Sequence, residues 1–135
     1  MESSMRETKK STHSRAFTLM EVLIVIVIMG VLAGLAVPNY FKTVEKARSS
    51  EAAANLKTIH LGQKIHRVDS NTFYGPSSSL SDINTNLDID LAEEFYTLLI
   101  TAASATKYTA TASRKGGSKV FTKTETGKIT ESGGF

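Results

Sequence analysis

The sequence predicts an α+β protein, in which one long N-terminal helix packs on a small antiparallel sheet of three or four strands. Three observations predict this fold class. Residues 22–37 form a run without a single polar side chain. Helix-forming residues then continue to position 68 without a turn signal, and from residue 95 onward Thr-rich and aromatic segments alternate in polarity. A length of 135 residues is enough for one such domain.

The composition excludes several classes of function. Because the chain contains no cysteine, it has no disulfide, no thiolate metal site and no cysteine nucleophile. The net charge of +3 is too small to indicate a nucleic-acid-binding protein by itself. The sequence also lacks a phosphate-binding loop and a convergent set of acid and base residues, so we do not expect an enzyme.

Residues 1–16 are polar and basic, and they precede the apolar run. They contain four basic and two acidic side chains, so most of the excess positive charge of the chain lies here. A short positive segment before a hydrophobic one is typical of an N-terminus held in the cytoplasm, with the remainder exported. We therefore predict that residues 1–16 are a cytoplasmic leader that is cleaved.

Residues 17–41 are predicted to form a hydrophobic helix that spans the membrane. At a rise of about 1.5 Å per residue it would be roughly 37 Å long, which is enough to cross a bilayer. Gly30, Gly34 and Pro38 lie inside this segment. Each lowers helix stability, and Pro38 also favours a kink because it lacks a backbone N–H.

Residues 42–135 are predicted to be an exported globular domain, with a helix over 42–68, a loop over 69–94 and an antiparallel sheet over 95–135. The helix is apolar on two faces. Ala52, Leu56 and Ile59 share one face, and Leu61, Ile65 and Val68 share the opposite one. A helix that is apolar on two sides needs two partners. We predict that these partners are its own domain and a neighbouring molecule.

Glu21 is a carboxylate embedded at the start of the apolar segment. An acidic side chain near the bilayer core costs several kcal/mol, so we expect it to have a partner. Cleavage after Ala16 would create a positive α-amino group on Phe17, which could pair with Glu21 of the same or a neighbouring molecule. Pairing between chains would select the register of identical helices in a bundle.

Residues 15–21, which read Arg-Ala-Phe-Thr-Leu-Met-Glu, closely resemble the prepilin signature of type IV pilins and of the related type II secretion pseudopilins. The resemblance implies that a prepilin peptidase cuts between Ala16 and Phe17 and methylates the Phe17 amine. It also implies that Glu21 guides docking into a growing filament, with membrane lipid and an inner-membrane assembly platform as earlier partners. Gly30 and Pro38 fall where family members carry helix-weakening residues.

Two features depart from the family pattern. Ala16 replaces the glycine that usually precedes the cut, although it is still small. The C-terminal disulfide loop of many pilins is absent because there is no cysteine. The sheet must then be held by packing, by strand hydrogen bonds or by an ion.

Oxygen-bearing side chains recur at every second position after residue 82, which is the ligand spacing of a calcium-binding loop. Leu87, however, occupies the position that needs glycine, and no flanking pair of helices is predicted. A solvated loop is the competing interpretation, so we predict no cofactor and keep calcium as the alternative. The candidate ligands are Asp82, Asn84, Asn86, Asp88, Asp90 and Glu93.

The predicted sheet contains six basic residues, and the helix before it contains two histidines. The basic residues of the sheet are Lys107, Arg114, Lys115, Lys119, Lys123 and Lys128. A solvated face is the usual role of such a set, and we predict no specific nucleic-acid partner. His60 and His66 lie on different faces of the helix, which favours surface or packing roles over metal binding.

The sequence predicts a structural subunit of a homo-oligomeric, helical, type IV pilus-like filament that serves adhesion, motility or DNA uptake. Before assembly we expect a single-pass inner-membrane protein with an exported C-terminus, and afterwards an extracellular or periplasmic filament. One alternative is a pseudopilin of a type II secretion system. Another is a non-assembling binding domain, either anchored in the membrane or secreted by cleavage after residues 34–36.

Overall fold

The structure, a computed structural model, describes residues 17–133. It confirms the predicted α+β class, with a long N-terminal helix and a four-stranded antiparallel sheet. The chain divides into two compact units with a boundary between Phe41 and Lys42. The predicted leader, residues 1–16, lies outside the described residues. The elements are α1 (Leu19–Ser70), α2 (Leu80–Leu87), β1 (Tyr96–Ala103), β2 (Tyr108–Arg114), β3 (Val120–Thr124) and β4 (Ile129–Ser132).

Helix α1 begins with a capping interaction at Thr18. The backbone N–H of Glu21 donates to the carbonyl oxygen of Thr18 at 3.1 Å and to its Oγ1 atom at 3.2 Å. A Thr followed three residues later by a Glu is a capping-box sequence, which satisfies donors that the first helical turn would otherwise leave free. The order of residues 18–21 therefore explains why the helix begins at Leu19.

The predicted weak points lie inside α1 but do not end it. The helix continues through Gly30, Gly34 and Pro38. Because Pro38 has no backbone N–H, the carbonyl group four residues earlier lacks its usual helical donor. That carbonyl belongs to Gly34, so two of the three weakening residues act on the same helical turn.

The second unit buries one face of α1 in a hydrophobic core. Ala52, Leu56 and Ile59 are at most 1% exposed, as their shared face predicts. Across the core lie residues from α2, the sheet and the segment between the helices. They are Phe73, Ile83, Leu87, Tyr96, Leu98, Ile100, Tyr108, Ala110, Ala112 and Phe121.

The four strands form a meander in the order β1-β2-β3-β4, with all neighbours antiparallel. In β1, β2 and β3, buried and partly exposed positions alternate, so every second side chain enters the core. In such a meander the β1–β2 and β3–β4 turns lie at one end of the sheet. The β2–β3 turn lies at the other end, and this division determines where the basic residues gather.

The prediction of a loop over 69–94 is wrong for residues 80–87, which form α2. Ser79 caps this helix, since its side chain accepts a hydrogen bond from the Asp82 N–H at 3.3 Å. Ile83 and Leu87 are buried and lie four residues apart on one face. One of the serines that favoured a loop is Ser79, the capping residue of α2. The two apolar residues that follow it at helical spacing favour a helix.

Gly62 allows α2 to pack closely on α1. A Cβ atom at this position would lie 2.9 Å from Leu87 Cβ and 3.1 Å from the Leu87 carbonyl oxygen. A glycine inside a helix costs about 1 kcal/mol relative to alanine. At Gly62 this cost is offset because the absence of a side chain admits the C-terminal end of α2.

Candidate filament-assembly site

The first unit presents an apolar helix surface on all sides. Every large apolar side chain from Leu19 to Phe41 is at least 45% exposed. Among residues 17–133, α1 is the one helix long and apolar enough to cross a membrane, and its most apolar window has a mean hydropathy of 2.7. A helix that is apolar all round is stable only in lipid or among other apolar helices. The surface of residues 19–41 therefore requires one of these two environments.

Glu21 lies in the first turn of α1. It is the only acidic residue between positions 17 and 41, and among the described residues it forms no ion pair. The N-terminus of a helix carries partial positive charge, which favours a carboxylate there. The helix end thus stabilises Glu21 in part, and the residue is exposed.

Thr18 is a residue whose role our sequence interpretation missed. Its side chain caps α1 through the Glu21 backbone, and the Thr-x-x-Glu spacing was the available signal. Phe17 is 78% exposed and immediately precedes this cap. The structure therefore places Phe17, Thr18 and Glu21 at the same end of α1, while the predicted cleavage residue Ala16 lies outside the described residues.

Gly30 and Gly34 leave open space on the surface of α1. A Cβ atom at either position would meet nothing within 4 Å, so crowding within the chain does not require glycine there. Their spacing matches a Gly-x-x-x-Gly pattern, which allows the backbone of a second apolar helix to approach closely. The sequence interpretation of these glycines as helix-weakening residues does not include this pattern.

The residues of the calcium hypothesis are not assembled into a loop. Asp82, Asn84 and Asn86 lie in α2. The Asn84 side chain holds the following connector, since it donates to the Leu91 carbonyl at 2.9 Å and accepts from the Leu91 N–H at 3.2 Å.

Glu93, the last candidate calcium ligand, also has a structural partner. Its Oε1 atom accepts a hydrogen bond from the Leu98 N–H at 2.6 Å. Within residues 17–133, no group of three or more His, Asp or Glu side chains is close enough to hold a metal ion.

The basic residues at the β2–β3 end of the sheet have internal partners. Arg114 Nη1 lies 2.7 Å from Glu45 Oε1, and both side chains are largely buried. Lys119 Nζ lies 2.8 Å from Glu131 Oε1, and the hydrogen bond between them raises the Lys119 pKa against the opposing effect of burial. Lys115 Nζ donates to the backbone carbonyl of Glu93. Each of these three residues therefore has a partner within the domain.

The opposite end of the sheet is electrostatically different. Lys123 is 4% exposed, and its Nζ donates to the Gly127 carbonyl at 2.6 Å. Burial lowers the Lys123 pKa, and the nearby charges of Lys57 and Lys64 lower it further. Positive charge from α1 and from β3 thus accumulates at this end, where the acidic side chain of Glu125 in the β3–β4 turn also lies.

His60 joins α1 to the same end of the sheet. Its Nδ1 atom shares a hydrogen bond with the Tyr108 hydroxyl. Burial lowers the His60 pKa, helped by the charges of Lys123 and Lys64, and burial raises the pKa of Tyr108, helped by Glu125. The lowered pKa favours the neutral form of His60, and its contact with Tyr108 is a packing role, one of the two roles (surface or packing) that the sequence predicts.

Two family profiles match this chain. The profile of the family described as "Type IV minor pilin ComP, DNA uptake sequence receptor" matches residues 38–124. The profile described as "Prokaryotic N-terminal methylation motif" matches residues 11–37.

Individual relatives are also pilins or pseudopilins. The type IV major pilin protein PilA of Myxococcus xanthus is 42% identical over 60 residues, which are 44% of this chain and 27% of PilA. The type II secretion system core protein G of Pectobacterium carotovorum is 35% identical over 73 residues, which are 54% of this chain and 47% of that protein. The type IV wide pilus major component PilA4 of Thermus thermophilus is 29% identical over 112 residues, which are 83% and 82% of the two chains.

The extent of these matches differs. This chain spans less than half the length of the first two relatives and most of the length of PilA4. The family match at residues 38–124 covers more than half of the chain and includes most of the sheet. Together with the long helix and the four-stranded meander, it shows that the chain belongs to the type IV minor pilin ComP family.

Proposed function

We propose that this protein is a structural subunit of a type IV pilus-like filament, assembled from the inner membrane after removal of residues 1–16. The observation that carries the proposal is the helix surface of residues 19–41, which is apolar on every side, exposed and marked by one carboxylate. A secreted domain would expose this apolar surface to water, which is unfavourable. A plain membrane anchor would include the cost of Glu21 without a function for it.

The first step is processing. The methylation-motif match over residues 11–37 supports cleavage by a prepilin peptidase. Cleavage between Ala16 and Phe17 leaves a positive amine on Phe17, at the end of α1 where Glu21 lies. Methylation of this amine keeps its positive charge and does not change the pairing.

The second step is transfer of the helix from lipid into a filament core. Lipid and neighbouring helices are both apolar, so the transfer yields little net hydrophobic free energy, and close packing must decide the outcome. Gly30 and Gly34 provide a surface on which a second backbone can approach closely. The turn that contains the Gly34 carbonyl and Pro38 is weakened, which allows the helix to adjust as it packs.

The third step is selection of register. In the filament core, the Phe17 amine of one subunit pairs with Glu21 of its neighbour. A carboxylate in an apolar bundle is stable only in the register that supplies a counter-charge, so incorrect registers are disfavoured by several kcal/mol.

Variants at Glu21 and Thr18 test the proposal, because they separate charge pairing from helix capping. Glu21→Gln keeps a capping-box residue and removes the charge, whereas Thr18→Val removes the cap and keeps the charge. We expect Glu21→Gln and Glu21→Val to insert into the membrane and to yield few or no surface filaments. Thr18→Val should still assemble. Normal filaments from Glu21→Gln, counted by electron microscopy, would contradict the charge pair.

A second candidate function is DNA uptake by the same filament. The family match, whose description names a DNA uptake sequence receptor, favours this task over secretion. Lys107 and Lys128 are exposed at the end of the sheet where positive charge accumulates, and phosphate groups bind to such cations. The sequence alone predicted no specific nucleic-acid partner, so this proposal depends on the family match.

Binding of duplex DNA to purified filaments tests the DNA-uptake role. We expect affinity to fall steeply as salt is raised, because phosphate contacts release bound counterions. The double variant Lys107→Glu, Lys128→Glu should bind more weakly and with a shallower dependence on salt. Filaments that do not bind DNA at low salt would exclude direct reception of DNA by this subunit and leave its structural role intact.

A further inference from the structure

The second unit has a helix face that no described residue covers. We name it the outward face, and it consists of Lys57, Leu61, Lys64, Ile65 and Val68 on α1. The three apolar side chains are 61%, 62% and 85% exposed, and both lysines are exposed. Contiguous exposed apolar residues on a helix, flanked by like charges, indicate a surface that contacts a partner when the protein functions.

The same unit carries a surface of opposite charge. The segment 82–94 contains five acidic residues and no basic residue. Four of the acids are exposed, and among residues 17–133 none of these four forms an ion pair. Ile89 and Leu91 are partly exposed between them. We name this surface the acidic flank, and its exposed acids are Asp82, Asp88, Asp90 and Glu94.

The two surfaces lie at different positions around α1. On one side of α1, Gly62 faces Leu87 and Ile89, next to the acidic flank. On the other side, His60 contacts Tyr108 and approaches Gly127 in the β3–β4 turn. His60 and Gly62 are two positions apart on α1, which corresponds to a rotation of about 200° around the helix axis. The outward face lies between these two contacts and points away from the core.

A chain with complementary surfaces at different positions makes a head-to-tail contact with another copy. Such a contact does not close into a two-fold dimer, and when its rotation does not close a ring it generates a helical filament. The two surfaces carry opposite charges, and the exposed apolar residues of the outward face match the partly exposed Ile89 and Leu91 of the acidic flank.

We propose that the outward face of one copy docks on the acidic flank of a second copy in the filament. This inference rests on the proposed filament function and adds the lateral contact between exported domains. Three exposed apolar side chains between two lysines favour a protein partner, because duplex DNA is bound chiefly through its phosphates and offers such residues little to cover them. Repetition along a filament strengthens a contact that is weak between two free copies.

A charge-swap experiment tests the docking. One variant carries Lys57→Glu and Lys64→Glu, a second carries Asp90→Lys and Glu94→Lys, and a third carries all four changes. Asp90 and Glu94 are chosen because neither caps a helix. Each variant is the only copy of the gene in its strain, and the amount of this chain in sheared surface filaments is measured. We expect each double variant to lose about tenfold or more, since like charges then face each other, and the fourfold variant to recover most of the loss.

The matched control applies the same charge change elsewhere. Lys107→Glu with Lys128→Glu reverses two lysines outside the outward face, and we expect normal filament yield from it. Thermal unfolding of each full-length variant in detergent checks the fold, and we expect all of them to melt as the unmodified chain does. Leu61→Ser, which leaves every charge in place, should also lower filament yield.

The outcomes separate the two proposals. Normal yield from the Lys57, Lys64 variant overturns the docking and leaves the filament function intact. Normal yield with loss of DNA binding makes the outward face a nucleic-acid site and likewise overturns the docking. Loss without recovery in the fourfold variant overturns the second copy as the partner. If the unmodified chain enters no filament, both proposals fail.

Discussion

The two parts of α1 show how one helix serves two environments. From Leu19 to Phe41 the apolar side chains are exposed all round, whereas from residue 42 to Ser70 one face is buried in the core and the other is exposed. The backbone conformation is the same, so the difference lies only in the sequence pattern. It follows that a substitution in the first part should change assembly, while a substitution in the core-facing second part should change folding.

The largest expected effect is the loss of stability when a buried leucine is removed from the second part of α1. Leu56→Ala creates a cavity in the core, because Leu56 is completely buried, and should lower the free energy of unfolding by about 3 kcal/mol. Leu32→Ala is the matched control, since Leu32 is 60% exposed, and should leave the melting temperature of the domain unchanged. Thermal unfolding of both full-length variants in detergent checks this, and equal losses would show that the contrast is wrong.

Glycine provides a similar contrast between the two parts. At Gly62 a new Cβ atom meets Leu87 at 2.9 Å, so Gly62→Ala should lower the free energy of unfolding by roughly 2 kcal/mol through overpacking. Gly30→Ala meets no neighbour in the chain and should not weaken the domain. A Gly30→Leu change, in contrast, should reduce filament yield, because it blocks the close approach of a second helix. Filament counts and melting curves together distinguish these effects.

Two ion pairs of the domain should differ in strength because they differ in burial. The side chains of Arg114 and Glu45 are 28% and 10% exposed, whereas Glu131 is 49% exposed in its pair with Lys119. Glu45→Gln should cost about 2 kcal/mol because it leaves Arg114 without its counter-charge. Glu131→Gln should cost less than about 1 kcal/mol. Urea titrations of the two variants measure the ranking, which a larger loss for Glu131→Gln would reverse.

The smallest predicted effect is a dependence of stability on pH at His60. Its pKa is lowered in the folded chain from 6.5, so below that pH the unfolded chain binds a proton more readily than the folded chain does. The contribution of His60 to the free energy of unfolding is therefore fully present above the pKa of the unfolded chain, and it declines as pH falls through that pKa. His60→Phe should show a shallower decline between pH 7 and 5, and an unchanged slope would exclude His60 as the source.

The sequence predicted the periodic parts of this fold and missed the parts set by single contacts. The apolar run, the core-facing side of the second helix half and the alternating strands are repeated signals, and the structure confirms the long helix, its buried face and the strands. The neighbouring molecule on the other face of the helix stays a prediction. Helix α2 was missed because eight residues provide only two buried apolar positions, Ile83 and Leu87. Its stability comes from packing against α1 at Gly62, a long-range contact that local propensity does not contain.

The candidate site was predictable in chemistry and less so in geometry. Glu21 stood out because an acid in an apolar run is costly, and Phe17 followed from the resemblance to prepilins. The capping role of Thr18 was a missed local signal. Arg114 is ion-paired, whereas Lys57 and Lys64 on α1 form no ion pair among residues 17–133, and this difference depends on long-range contacts. That information is in the topology and not in the composition.

Mass spectrometry of surface filaments sheared from the native host tests whether this chain is processed and assembled as we propose. We expect this chain to be present in them, with an N-terminal peptide that begins with an N-methylated Phe17. Recovery of the chain only as an uncut membrane protein, or as a soluble domain that begins near Val37, would contradict this expectation.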